Sequence, residues 1–120
     1  MKRTPGIHPC LGVPRREQQR LSLVGRLALA ELHAGQAGQA LVDLQAVAQI
    51  CRLLTAGDRF TDDARQAAQE AAQAIAAARA GTAPPSTAIA PAMAAVELLE
   101  AALPLVTWRQ LEAAKVGAQG

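Results

Sequence analysis

The sequence predicts an all-α fold, namely an antiparallel four-helix bundle followed by a short fifth helix. Alanine, the residue with the highest helix propensity, dominates a composition that is 51% hydrophobic and 2% aromatic. Large apolar residues recur at spacings of three and four, and short glycine or proline turns separate the periodic segments. Short connections favour antiparallel neighbours. No stretch alternates over enough residues to predict a strand.

The chain begins with an arm, residues 1–13, that is expected to be irregular because it combines prolines and glycines with no apolar periodicity. A first helix is predicted over about residues 14–34, with Pro14 in its first turn and Gly35 as its stop. Its apolar residues cover more than one face, and we therefore expect this helix to be central and well buried. These residues are Leu21, Leu23, Val24, Leu27, Ala28, Leu29 and Leu32.

The second helix is predicted over about 39–56, closed by Gly57, and the third over about 61–80. Thr61 can cap the third helix, and the two aspartates that follow suit the positive end of its dipole. Ile75 is the only large apolar residue of this alanine-rich helix. We therefore expect it to pack very close to its neighbours.

Residues 81–87 contain two consecutive prolines and predict a stiff, extended linker. A fourth helix is expected over about 91–103, where Pro104 ends it. Thr107 and Gln110 have the spacing of a capping box, which predicts a fifth helix over about 107–116. Residues 117–120 are expected to fray.

The residue content predicts a single cytoplasmic domain. No run approaches the roughly 18–20 apolar residues that span a bilayer, and the first residues lack the apolar stretch of a secretory signal. Two cysteines are too few for a disulfide scaffold, so reduced thiols are expected.

The candidates for chemistry have simpler structural explanations, and we predict a protein that is not an enzyme and holds no metal or cofactor. His8, Cys10, His33 and Cys51 lack the paired close spacings of a zinc site, and Cys51 falls on an apolar stripe. Asp62 and Asp63 suit a helix start, whereas Glu97 and Glu100 fall on the solvent side of the fourth helix. No phosphate-binding loop or nucleophile motif occurs.

Two binding functions remain open. The first is a protein-interaction module, with a homodimer as one form, in which a partner covers an apolar face. The candidate residues for that face are Val96, Leu99, Leu103 and Trp108. The segment 107–117 also has the pattern that opens many helix-turn-helix domains, but only three residues follow it, so a helix that closes the bundle is the favoured interpretation.

The second function is accessory nucleic-acid binding. The net charge of +2 conceals an asymmetry, because residues 1–26 carry six basic side chains against Glu17 alone. A basic patch can bind phosphates without sequence specificity, although the chain lacks the aromatic residues that stack on bases. The candidate contacts are Lys2, Arg3, Arg15, Arg16 and Arg20.

The pattern as a whole resembles a group of small uncharacterised helical proteins of proteobacterial phages, plasmids and integrated elements. The resemblance covers about residues 20–116. It rests on the turn from Gly35 to Gly38, the helix end near Leu54 and Gly57, the segment Ile75 to Gly81, and the polar-capped end from Leu103 to Ala114. Gln39 to Asp43 and the alanine-rich third helix depart from the pattern of that group. The resemblance implies an accessory role in a mobile element and no catalytic mechanism.

Overall fold

The computed structural model describes residues 11–119, and its regular elements are helical apart from one isolated bridge between Gly12 and Thr107. The all-α prediction is confirmed for these residues. Most of the predicted irregular arm, residues 1–10, lies outside them. The α-helices are α1 (Arg15–His33), α2 (Ala37–Leu54), α3 (Asp62–Arg79), α4 (Ile89–Ala102) and α5 (Trp108–Gln119), and two short 3₁₀ helices, Pro85–Ala88 and Leu103–Leu105, flank α4.

Helix α2 is the centre of the fold, because it contacts α1, α3, α4 and α5. The prediction that the first helix is central and well buried is therefore wrong. α1 packs mainly on α2 and α4, which leaves Leu23 57% exposed and Leu27 55% exposed. The buried residues of α2 are Ala40, Leu41, Leu44, Val47, Ala48, Ile50, Cys51 and Leu54.

The predicted helix boundaries hold where a turn requires a specific backbone conformation. Gly35 and Gly81 have φ of 85° and 81°, the left-handed conformation that ends α1 and α3. α2 instead ends at Leu54, before the predicted stop at Gly57, and the hydroxyl of the buried Thr55 donates a 2.9 Å hydrogen bond to the Cys51 carbonyl.

Both predicted amino-terminal caps are confirmed. The amide of Ala64 donates to the Thr61 hydroxyl at 3.1 Å, which caps α3. At α5, the Thr107 amide donates to the Gln110 side chain at 2.8 Å, and the Gln110 amide donates to the Thr107 hydroxyl at 3.2 Å. This reciprocal pair is the capping box that the spacing predicted.

Two boundaries differ from the prediction. The predicted extended linker turns into the 3₁₀ helix Pro85–Ala88, held by Thr87 donating to the Pro84 carbonyl, so that α4 begins at Ile89. Residues 117–119, expected to fray, continue α5 instead, and the helix approaches Leu53 of α2 closely at Gly117. A Cβ atom there would lie 2.9 Å from Leu53 Cδ1.

A second close approach joins α1 to α4. A Cβ atom on Gly25 would lie 2.9 Å from Cγ2 of Val96.

α3 contributes mainly alanine to the core, with Ile75 as its one large buried side chain. Val13, before α1, is also buried, and the Leu11 carbonyl accepts a 2.8 Å hydrogen bond from the Trp108 amide, which ties the start of α1 to the start of α5.

Contrary to the expectation that no run approaches the length of a membrane span, one helical stretch of the described chain, Pro85–Leu105, meets the length and composition of one, with a mean hydropathy of 1.6. Length and composition are weak evidence, since the core helix of a globular protein meets the same conditions. Here 39% of the apolar window is buried inside a compact fold, and Glu100 within it pairs with α1. In this fold α4, which makes up most of the stretch, packs against α1, α2 and α3.

Candidate functional site: the outer face of helix α1

Helix α1 exposes large apolar side chains on the side that faces away from the core. Leu23, Val24 and Leu27 are 57%, 37% and 55% exposed. The opposite side of the same helix is buried, and its residues are Leu21, Gly25, Ala28, Leu29 and Leu32. Because residues three and four apart lie on one side of a helix, the three exposed residues form one continuous patch.

Charged residues extend this patch along the helix in both directions. Arg20, Val24, Leu27 and Glu31 follow at spacings of four, three and four, the spacing of a seam that packs against another helix. Leu23 lies beside the seam, and Arg16 lies one turn before Arg20. We define the outer face of α1 as these six residues: Arg16, Arg20, Leu23, Val24, Leu27 and Glu31.

The outer face has a charge gradient along its length. At its basic end, the Arg20 guanidinium pairs with Glu17 at 2.6 Å while its side chain remains 54% exposed. Lys115 of α5 approaches the same carboxylate at 3.3 Å, and the hydrogen bond from Arg20 is the main cause that lowers the pKa of Glu17. At its acidic end, Glu31 is exposed and forms no ion pair with any residue of 11–119.

Ion pairs fix α1 on both sides of the outer face. On one side, Arg26 pairs with Glu100 of α4 at 2.6 Å, and the Ser22 hydroxyl donates to the same carboxylate. The hydrogen bond from Arg26 is the main cause that lowers the pKa of Glu100, which is half-buried rather than on an open solvent face. On the other side lies the Glu17 pair with α5. The outer face therefore lies between two ion pairs that join α1 to neighbouring helices.

An open groove of about 500 Å³ runs between α1 and α4 along one edge of the outer face. Its lining combines polar side chains of α1 with Leu23 at the rim and Leu103. The lining residues are Arg15, Gln18, Gln19, Ser22, Leu23, Arg26, Glu100 and Leu103. The groove extends the surface that a partner on the outer face could contact.

The structure does not support the partner face predicted on the fourth helix. Val96, Leu99 and Leu103 are each 1% exposed, because α4 packs into the core of its own chain. These three side chains offer a partner almost no surface in this fold, although Leu103 also borders the groove between α1 and α4. Trp108 is half-buried, and Lys115 Nζ lies 5.9 Å from the centre of its ring.

The structure divides the basic residues predicted for nucleic-acid binding. Lys2 and Arg3 lie outside the described residues. Arg15 and Arg16 are exposed in the first turn of α1, with Arg15 on the groove and Arg16 on the outer face. Arg20 is paired with Glu17. The exposed arginines of α1 therefore lie beside the apolar residues of the same helix, Leu23, Val24 and Leu27.

The outer face was not among the predicted sites, although the apolar pattern of the first helix already indicated it. Apolar residues on more than one side of the first helix have two explanations, a central buried helix or a helix with one face left for a partner. The prediction of a central first helix follows the first explanation, whereas the exposure of Leu23, Val24 and Leu27 favours the second. A comparison with the second helix could not have decided the question, since both patterns are apolar on several sides.

The remaining candidates for chemistry are separated in the fold. Burial raises the pKa of the fully buried Cys51 thiol to about 12, which keeps it protonated and unreactive. Within residues 11–119, no three His, Cys, Asp or Glu side chains come together as a metal site. His33 ends α1, Asp62 pairs with Arg65 at the start of α3, and His8 and Cys10 lie outside the described residues.

Comparisons with known proteins give no family and no functional analogue. No protein-family model, no curated protein and no solved structure matches this chain. The resemblance to proteins of mobile elements therefore stays a prediction. α5, which resembles the opening of a helix-turn-helix, packs on α2 with Leu111 fully buried.

Proposed function

We propose that this protein is a non-enzymatic protein-interaction module that binds its partner through the outer face of α1. The observation that carries the proposal is the exposure of Leu23, Val24 and Leu27 on one side of a helix whose other side already closes the core. Full burial of a leucine or valine side chain is worth about 1.5–3 kcal/mol. Covering this patch would therefore supply a driving force for binding that folding leaves unused.

The charges on the outer face define the chemistry of the partner. Its surface is apolar where it meets Leu23 and Leu27, acidic where it meets Arg16 and Arg20, and basic where it meets Glu31. Such charges fix the orientation and the rate of association more than the affinity. A helix with the same four-three-four spacing is the element that fits an apolar seam of this length.

The proposed setting follows from the same residues. We place the protein in the cytoplasm, where Cys51 and Cys10 would stay reduced, and assign the predicted antiparallel bundle the role of a rigid support for α1. The implied accessory role in a mobile element is compatible with a small binding module.

Affinity capture with matched variants tests the proposal. The baits are the intact chain, Leu23→Gln with Leu27→Gln, and the control Leu105→Gln with Val116→Gln. The control removes two apolar residues, 50% and 69% exposed, from elsewhere on the surface. A partner of the outer face is retained by the intact chain and the control and lost with the α1 variant. That partner is then purified and titrated by calorimetry, where the α1 variant should bind at least about tenfold more weakly.

The experiment also separates the nucleic-acid alternative. If all retained material disappears on nuclease treatment, and duplex DNA binds the α1 variant as well as the intact chain at low salt, the basic side chains carry the function and the protein-interaction proposal fails. Equal retention of every protein by all three baits would likewise contradict it.

A further inference from the structure

The outer face of α1 is complementary to itself when two copies run in opposite directions. A register that sets Val24 opposite Leu27 of a second copy also sets Arg20 opposite Glu31 of that copy, because the two pairs share one midpoint on the helix. The two-fold symmetry repeats both contacts. The result is four layers, with two apolar layers in the middle and an arginine–glutamate layer at each end.

The parallel arrangement lacks this complementarity. It would place Arg20 against Arg20 and Glu31 against Glu31, and like charges that face each other destabilise a helix pair. For a pair of copies of this chain, the charge pattern therefore favours the antiparallel direction.

From this pattern we infer that the partner of the outer face is a second copy of this chain, joined through an antiparallel α1–α1 contact; the inference rests on the proposed function of that face. Arg20 is able to reach across such a contact because it is 54% exposed and its present partner, Glu17, is shared with Lys115. Glu31 has no competing ion pair among residues 11–119. Leu23 and the groove of about 500 Å³ beside it widen the contact toward α4.

The contact is modest in size. One helix face per copy belongs to the smallest class of specific interfaces, below about 1,200 Å² in total. We therefore expect a reversible dimer with a dissociation constant in roughly the micromolar range rather than an obligate one.

Sedimentation equilibrium over concentrations from about 1 μM to 1 mM tests the inference with four full-length variants. Leu27→Gln should weaken association at least about tenfold, whereas Val116→Gln, a change at a 69% exposed residue of α5, should leave it unchanged. Arg20→Glu should weaken association roughly tenfold at low salt, since the symmetry replaces both ion pairs of the dimer with like charges. The double variant Arg20→Glu with Glu31→Arg should restore association to within about threefold of the intact chain, because each reversed residue then meets its complement.

Circular dichroism of each variant establishes that the helical fold is retained, so that a loss of association is a property of the surface. A chain that stays monomeric at about 1 mM overturns the second copy as partner. In that case the capture experiment still decides the proposed function, since a different partner could depend on Leu23 and Leu27. The antiparallel contact is overturned if Arg20→Glu leaves the dissociation constant unchanged. It is also overturned if the double variant Arg20→Glu with Glu31→Arg does not restore association.

Discussion

Helices α1 and α2 have similar sequences in one respect and opposite positions in the fold. Both carry large apolar residues on more than one side, yet α2 contacts four other α-helices whereas α1 packs mainly on α2 and α4. Leu44 of α2 is fully buried, and Leu27 of α1 is 55% exposed. The apolar residues of a helix show how much surface it can bury. The number of neighbours decides how much its own chain covers.

Truncating one leucine in each helix shows how differently the two helices contribute to stability. Leu44→Ala should lower the free energy of unfolding by about 2–5 kcal/mol, because it removes core contacts and leaves a cavity. Leu27→Ala should change that free energy by less than about 0.5 kcal/mol. Urea unfolding measures the two free energies when the protein concentration is well below the dissociation constant of the dimer, so that the chain is monomeric. Similar losses for the two variants would show that α1 is a core helix.

Replacing one glycine in each helix with alanine tests how closely α1 and α2 pack on their neighbours at those positions. Gly25→Ala should destabilise the fold by about 1–2 kcal/mol, because the new methyl group would lie 2.9 Å from Val96 Cγ2 and the buried valine has little freedom to move. Gly38→Ala in α2 has nothing within 4 Å and should stabilise by about 0.4–1 kcal/mol. Thermal unfolding of the two variants should shift in opposite directions. A Gly25→Ala protein as stable as Gly38→Ala would contradict the close contact of α1 with α4.

The smallest expected effect concerns the ion pair that fixes α1 on α4. Arg26 lowers the pKa of Glu100 in the folded state, so the pair stabilises the fold above the ordinary carboxyl pKa, and this stabilisation is lost as the pH falls through the lowered value. Glu100→Gln should therefore reduce stability at pH 7 by less than about 1 kcal/mol, with the difference from the intact chain vanishing in acid.

Urea midpoints at neutral and acid pH check this prediction. Glu97→Gln is the control on the same helix, because Glu97 is exposed and attracts Arg26 only through space, without a hydrogen bond or ion pair to residues 11–119. A pH-dependent loss of equal size in both variants would show that net charge, rather than the Arg26 pair, is responsible.

The features that sequence predicted well are those fixed by local chemistry. The caps at Thr61 and Thr107 and the end of the first helix at Gly35 depend on residues within one helical turn, and these three predictions are confirmed. The all-α class follows from periodicity in the same way.

The features that failed depend on which elements meet. Burial of Leu99 and exposure of Leu27 are decided by the neighbours of α4 and α1, which no local pattern specifies. The extension of α5 past Gly117 likewise depends on its contact with Leu53 of α2. For this reason the predicted partner face on α4 is buried, and the exposed apolar face lies on α1.

The variant Leu27→Gln separates the contribution of the outer face to stability from its contribution to association. Leucine and glutamine have similar helix propensities, so an exposed residue should tolerate the change. We predict an unchanged urea midpoint together with an at least about tenfold loss of self-association in sedimentation equilibrium. A free energy of unfolding that falls by several kcal/mol, with association unaffected, would show that Leu27 belongs to the core and would contradict a binding role for the outer face of α1.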